Sequence, residues 1–191
     1  MYPIVSISGF PGSGKSTICR SMRDTLELHY VDYDCFGALT NASPDILHDW
    51  IKAGMPYEAL FSTEFSERVI EASRISPVLI ETPLGPLHGA DGIKVSLSIW
   101  LDVALDIALL RALTKVINED WGSIRELRSW DSGYQTAYEA FVRTSLLMQQ
   151  QNVGSRCDVT VQASRPSTDI AHQLCKEIAD HLGLHDLPLI R

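Results

Sequence analysis

Residues 9–16 read Gly9-Phe10-Pro11-Gly12-Ser13-Gly14-Lys15-Ser16, which fits G-x-x-x-x-G-K-[ST] at every fixed position. Before them stands Ile4-Val5-Ser6-Ile7-Ser8, a short β-branched apolar run that reads as a buried strand. After them, Lys15 to about Glu27 reads as a helix. Its apolar Ile18, Met22 and Leu26 recur at four-residue spacing, with Arg20, Arg23 and Asp24 off that line. A strand, a glycine turn and a helix in that order are the context the motif requires. Glycines let the backbone curl so that successive N–H groups point at phosphate oxygens. The helix start adds partial positive charge. The expectation is a phosphate cradle built from Gly9, Pro11, Gly12, Ser13, Gly14, Lys15, Ser16 and Thr17. In it Lys15 reaches the outer phosphates and the Ser16 hydroxyl ligates Mg²⁺.

The remaining chain alternates in the same way. His29-Tyr30-Val31 predicts a second strand ending at Asp32-Tyr33-Asp34. Residues 43–76 are mostly helical, with Ser43 as N-cap, Pro44 at the first helical position, a break at Gly54-Met55-Pro56 and a second helix from about Tyr57. Pro77-Val78-Leu79-Ile80 reads as a buried strand ending at Glu81, followed by a Pro/Gly loop over 82–86. Val95 to Leu101 is the fourth strand, stopping at Asp102, and a helix runs from Val103 to about Val116. A polar, aromatic segment continues to Asp131. A long helix is expected from Tyr134 to Gln150, with Tyr138, Phe141, Val142 and Leu146 as its buried stripe. Cys157 to Val161 is the fifth strand and Ser167 to Leu182 the closing helix. Strands alternating with helices imply one α/β domain over 1–191, its parallel sheet covered on both faces.

Strand ends are where ligands sit in such sheets. Asp32 and Asp34 end the second strand, where one carboxylate would orient Mg²⁺-bound water and another accept a hydroxyl proton. Glu81 ends the third strand, where it would support the metal or grip a polar substrate. Arg111, Lys115, Arg125 and Arg128 follow the fourth strand, in a segment over about 111–131 that would close over phosphates as a lid, or would be a solvated helix face paired with Glu119, Asp120 and Glu126. Arg111, nearest the strand end, is the first choice among them. Between about 35 and 76 lie His48, Asp49, Trp50, Lys52, Tyr57, Glu58, Phe61 and Phe65, a candidate pocket for a small substrate. Core packing is the better reading of Trp50, Phe61 and Phe65, since Phe61 and Phe65 stand at i, i+4. His88, in the loop beyond Glu81, is a further substrate candidate, and Trp121 and Trp130 sit in or beside the lid.

Composition narrows the classes. The 191 residues carry 16 Lys+Arg against 24 Asp+Glu, a net charge of −8. Nucleic acid is therefore a poor partner, because a general phosphate contact needs a basic face. With 45 % apolar residues the chain is of ordinary globular composition, and no apolar run reaches the ~18 residues of a membrane span. Met-Tyr-Pro-Ile-Val-Ser opens the chain without the basic start of a secretory signal. Cys19, Cys35, Cys157 and Cys175 form no CxxC pair, so zinc and redox dithiols are not expected. A cytoplasmic protein with reduced thiols follows.

Taken with Gly9–Thr17, Asp32-Tyr33-Asp34 and Leu79-Ile80-Glu81-Thr82-Pro83-Leu84-Gly85, the chain resembles the small P-loop kinases of metabolites, such as uridine, shikimate and nucleoside or nucleotide kinases. Trp100-Leu101-Asp102-Val103, Asp106 to Arg111 and Cys157 to Val161 extend the resemblance over most of the chain. It implies a three-layer P-loop sandwich with five parallel strands in the order 2-3-1-4-5 and a helical lid after the fourth. It implies ATP with Mg²⁺, Asp34 as general base, Asp32 as organiser of the metal, and Arg165-Pro166-Ser167 beside the adenine. One departure stands out: such lids often carry closely spaced arginines, whereas Arg111 is followed by Ala112, Leu113, Thr114 and Lys115. Lys115 fills that role, or Arg125, Arg128 or Arg143 does.

The expected activity is transfer of the γ-phosphoryl group of ATP to a hydroxyl of a small molecule such as a nucleoside or sugar. The alternative is a regulatory P-loop module that binds nucleotide and hydrolyses it slowly. A GTPase is disfavoured by the lack of Asn-Lys-x-Asp, and a nucleic-acid kinase by the charge. Neither the acceptor nor the oligomeric state is legible.

Overall fold

Five parallel strands pair in the order β2-β3-β1-β4-β5, in a computed structural model that describes residues 1–36, 42, 44–56, 62–86, 92–118, 123–137 and 142–183. The strands are β1 Ile4–Gly9, β2 His29–Asp32, β3 Val78–Glu81, β4 Leu97–Asp102 and β5 Val159–Gln162. The helices are α1 Lys15–Leu26, α2 Pro44–Lys52, α3 Thr63–Ser73, α4 Leu105–Ile117, α5 Ile124–Ala137, α6 Arg143–Asn152 and α7 Ser167–Leu182. The strand order is the one the resemblance implied. β1 lies at the centre, with Ile7 in register with Glu81 of β3 and Ile99 of β4. The cradle that follows β1 therefore opens midway along the sheet's carboxyl edge.

Alternation along the strands sends side chains into two cores, one on each face. Val5, Ile7, Leu79 and Ile99 pack with Ile18 and Met22 of α1 and with Leu174 and Ile178 of α7. Val31, Val78 and Ile80 pack with Phe65 and Val69 of α3 and with Trp50 and Met55. The four-residue spacing read in α1 is thus its buried stripe. Phe65 is a core residue, its ring edge-on to Tyr33 at 5.1 Å and to Phe36 at 5.4 Å.

Several boundaries differ from the sequence expectation for local reasons. α2 begins at Pro44 as expected, while the Ser43 cap lies outside the described residues. α3 begins at Thr63, capped by the Ser62 side chain, which accepts from Phe65 N. Its expected earlier start at Tyr57 falls on 57–61, outside the described residues. The helix expected from Tyr134 to Gln150 falls on the end of α5, which holds Tyr134, and on α6 from Arg143, with 138–141 outside the described residues. α5 starts ten residues earlier than expected, at Ile124, and runs through Gly133, an exposed helix glycine that costs only about 1 kcal/mol against alanine. Of the expected stripe, Tyr138 and Phe141 lie outside the described residues, and Val142 and Leu146 are half-buried. β5 starts two residues late because Asp158 uses its carboxylate on Ser98, accepting from Ser98 N at 2.8 Å and Ser98 Oγ at 2.6 Å. The four cysteines are free thiols. No helix among the described residues is long and apolar enough to cross a membrane.

Candidate functional site

The loop from Gly9 to Gly14 is held in shape by its glycines. Gly12 has φ +81°, and a Cβ there would stand 2.0 Å from Ala108 O of α4. Gly14 caps α1 with φ +96°, and no side chain caps the helix. The loop closes on itself through Ser13 N, which donates to Phe10 O at 3.0 Å. The first N–H groups of α1 have no intrahelical acceptor by geometry, and Lys15, Ser16 and Thr17 line the cleft they face.

That cleft has a volume of about 650 Å³. Its walls come from the P-loop and α1 (Gly12, Gly14, Lys15, Ser16, Thr17, Arg20), from α4 (Arg111, Lys115) and from Ser164, Arg165, Pro166 and Ser167. α7 also starts here, with Ser167 Oγ 3.5 Å from the position of a Cβ on Gly14. Two helix N-termini and five cationic side chains thus surround one space in a chain of net charge −8. Such a concentration of positive charge suits a polyanion of nucleotide size. Arg111 Nη1 donates to Ala163 O at 3.4 Å, and Arg165 donates to Gln173 Oε1. Arg111 sits in the middle of α4. Arg125, Arg128 and Arg143 are exposed on α5 and α6 and do not line this cleft.

Lys15 Nζ donates to Gly9 O and Phe10 O, each at 2.9 Å. Burial holds its pKa below the ordinary value, opposed by the charges of Glu81, Asp34 and Asp32. These three carboxylates are the acidic side of the site. Glu81 is 4 % exposed; its Oε1 accepts from Ser16 Oγ at 2.7 Å, and its Oε2 accepts from the Tyr30 hydroxyl. Tyr30 also approaches Asp32 Oδ2 at 3.4 Å. Burial first, and then the Glu81 hydrogen bond, push the phenol pKa far up, so Tyr30 is a fixed donor. Asp32 Oδ1 accepts from Asp34 N at 3.0 Å and so sets the single 3₁₀ turn that carries Asp34. The Asp34 side chain is open to water, yet neighbouring protein desolvates its carboxyl and Asp32 adds repulsion, which together raise its pKa.

The sequence candidates are therefore brought together unequally. The P-loop residues, Arg111 and Arg165 share the cleft, and Asp32, Asp34 and Glu81 gather by Lys15. Pro11 and Trp50 instead line a second pocket, which Gly12 does not. Trp50 is 8 % exposed and its Nε1 donates to Pro56 O at 2.8 Å, so it serves the core and presents one face to that pocket. His88 and Trp121 lie outside the described residues. Arg20 and Tyr30 were missed. Arg20 was legible as the residue one helical turn beyond Ser16. Tyr30 carried no sequence signal, because its partner Glu81 is 51 residues away.

Residues fit magnesium and a nucleotide in the following sense. The glycine cradle leaves no room for a Cβ at Gly12, and Ser16 offers one hydroxyl oxygen. Among the described residues no three His, Cys, Asp or Glu side chains form a metal cage. Magnesium held by one protein oxygen, with phosphate and water oxygens for the rest, is what the donor set suits.

No family model and no curated protein sequence matches the chain. Solved structures do. A gluconokinase from Sinorhizobium meliloti 1021 aligns over 96 % of this chain and 97 % of its own, with 13 % identity and a TM-score of 0.51. A protein named APE1195 aligns over 95 % of this chain and 97 % of its own, with 14 % identity and a TM-score of 0.54. At such identity the likeness shows the fold alone, a five-stranded parallel sheet in the order β2-β3-β1-β4-β5 with the P-loop after β1.

Proposed function

We propose that the protein is an ATP- and Mg²⁺-dependent kinase that moves the γ-phosphoryl group to a hydroxyl of a small molecule. The observation that carries this reading is the convergence of Lys15, Arg20, Arg111, Lys115 and Arg165 on a glycine cradle between two helix N-termini. Magnesium held by Ser16 would neutralise phosphate charge. The chain's own groups do the rest. Backbone N–H groups of α1 and the loop hold the phosphates in place. Lys15 exchanges the Gly9 and Phe10 carbonyls for phosphate oxygens, and Arg111 and Lys115 balance charge that develops in transfer. Ser16 supplies the metal with its oxygen, aligned by Glu81. Asp34, its pKa raised, accepts the acceptor's hydroxyl proton. Little covalent machinery is needed, since positioning and electrostatics carry phosphoryl transfer.

A regulatory nucleotide-binding module is the second reading, since the same cradle would serve it. Calorimetry with ADP·Mg²⁺, followed by ATP consumption with and without a panel of small alcohols, tests the proposal. Acceptor-stimulated ADP release is expected. Nucleotide binding with ATP loss indifferent to every acceptor points to the regulatory module.

A further inference from the structure

Pro11 and Gly12 are neighbours in sequence, yet they line different cavities. Gly12 faces the basic cleft, whereas Pro11 faces a pocket of about 200 Å³ between α2 and α6. The P-loop thus borders both. Pro11 comes two residues after the end of β1, and Pro83, also in the pocket wall, two residues after the end of β3. The second pocket therefore opens at the carboxyl ends of the two central strands, in the crevice where α/β sheets take ligands.

We propose that this pocket seats the body of the phosphoryl acceptor, and that the acceptor is a small alcohol with an apolar ring or branched-chain body. The inference rests on the kinase reading given above and narrows its acceptor. Leu47, Trp50 and Met55 form one side of the pocket and Leu146 the other. Of the polar side chains that line it among the described residues, Trp50 and Gln149 each have a donor engaged elsewhere, and Ser145 adds a single hydroxyl. Trp50 Nε1 is bound to Pro56 O at 2.8 Å, and Gln149 Nε2 to Pro83 O at 2.9 Å. A polyhydroxylated ligand would bury several hydroxyls against this apolar wall, and each one left without a partner weakens binding about tenfold. An apolar body meets no such cost. Size agrees: a dry apolar cavity of ~150 Å³ takes up benzene, so about 200 Å³ suits one substituted ring. The wall's Met55 is fixed by the turn that ends α2, where Gly54 N donates to Ile51 O and Met55 N to Trp50 O, each at 3.0 Å.

The test uses the full chain and 4-fluorobenzyl alcohol as probe, read by ¹⁹F line broadening, with ADP·Mg²⁺ binding followed separately by calorimetry. Saturable broadening is expected from the wild-type chain. Leu146→Asp, which puts a charge in the pocket, should weaken it about tenfold or more. Leu47→Trp fills the pocket without adding charge and should do the same with its ADP·Mg²⁺ heat retained. ATP turnover should then be stimulated by the fluorinated alcohol and not by glucose or gluconate. A chain that binds ADP·Mg²⁺ but neither broadens the probe nor responds to Leu47→Trp overturns this inference and leaves the kinase reading standing. Preferential transfer to glucose or gluconate does the same. Absence of any ADP·Mg²⁺ heat strikes the kinase reading itself, and the acceptor assignment goes with it even if the ring binds.

Discussion

The Ser16 hydroxyl donates to Glu81 Oε1 at 2.7 Å, joining the start of α1 to the end of β3 across 65 positions of sequence. Glu81 is clamped from its other oxygen by Tyr30, so the Ser16 oxygen is oriented by a chain of two hydrogen bonds. Outer partners that orient a metal ligand commonly matter 10–100-fold. Glu81→Gln should therefore raise the Mg²⁺ concentration needed for half-maximal turnover about tenfold, and Tyr30→Phe should raise it by a smaller factor. Calorimetric titration of ADP with and without Mg²⁺ provides a readout apart from turnover. Equal Mg²⁺ dependence in wild type and Glu81→Gln would remove Glu81 from the metal site.

Lys15 sits half-buried on two carbonyls of its own loop. Each such bond contributes about 1 kcal/mol net, and removing the amine also removes its desolvation. The two effects offset, so Lys15→Ala should keep its unfolding midpoint within about 4 °C of wild type when no nucleotide is present. Its ADP·Mg²⁺ heat should vanish and phosphoryl transfer fall by orders of magnitude. Normal nucleotide binding in this variant would count against the cradle.

Two glycines should respond in opposite directions. Gly12→Ala places a Cβ on Ala108 O at 2.0 Å with φ +81°, and a cost of about 2 kcal/mol or more is expected, with loss of nucleotide binding. Gly133→Ala meets nothing within 4 Å inside α5 and should stabilise by up to about 1 kcal/mol. Denaturant unfolding of the pair distinguishes a cradle glycine from an incidental one.

Asp34 gives a pH signature. Its folded pKa is raised by desolvation and by Asp32. A base must be deprotonated to work, so kcat/KM should fall as pH drops through the Asp34 pKa, at a pH above that of an ordinary aspartate. Asp34→Asn should lose transfer while keeping ADP affinity. The stability sign runs the other way. A raised folded pKa means that the native state holds its proton more tightly, a contribution complete below the unfolded pKa and lost as pH rises through the folded one. Asp34→Asn should flatten that part of the stability profile. An acid limb at the same pH in a variant that retains turnover would assign the titration to another group.

Local chemistry determined the central part of this protein. Residues 4–26 specify strand, glycine turn and helix through contacts within a few positions, so the cradle and the roles open to Lys15 and Ser16 were readable directly. So was the alternation that makes a parallel sheet, because buried strands and amphipathic helices differ in apolar period. Tertiary structure alone decided which distant groups meet. Tyr30 and Glu81 pair across β2 and β3, and Arg20, Arg111 and Arg165 reach one cleft from three separate segments. It also showed that Trp50, a core residue as its packing reading had it, lines a second pocket together with Pro11. Those pairings depend on long-range register and helix packing, to which no short stretch of sequence responds.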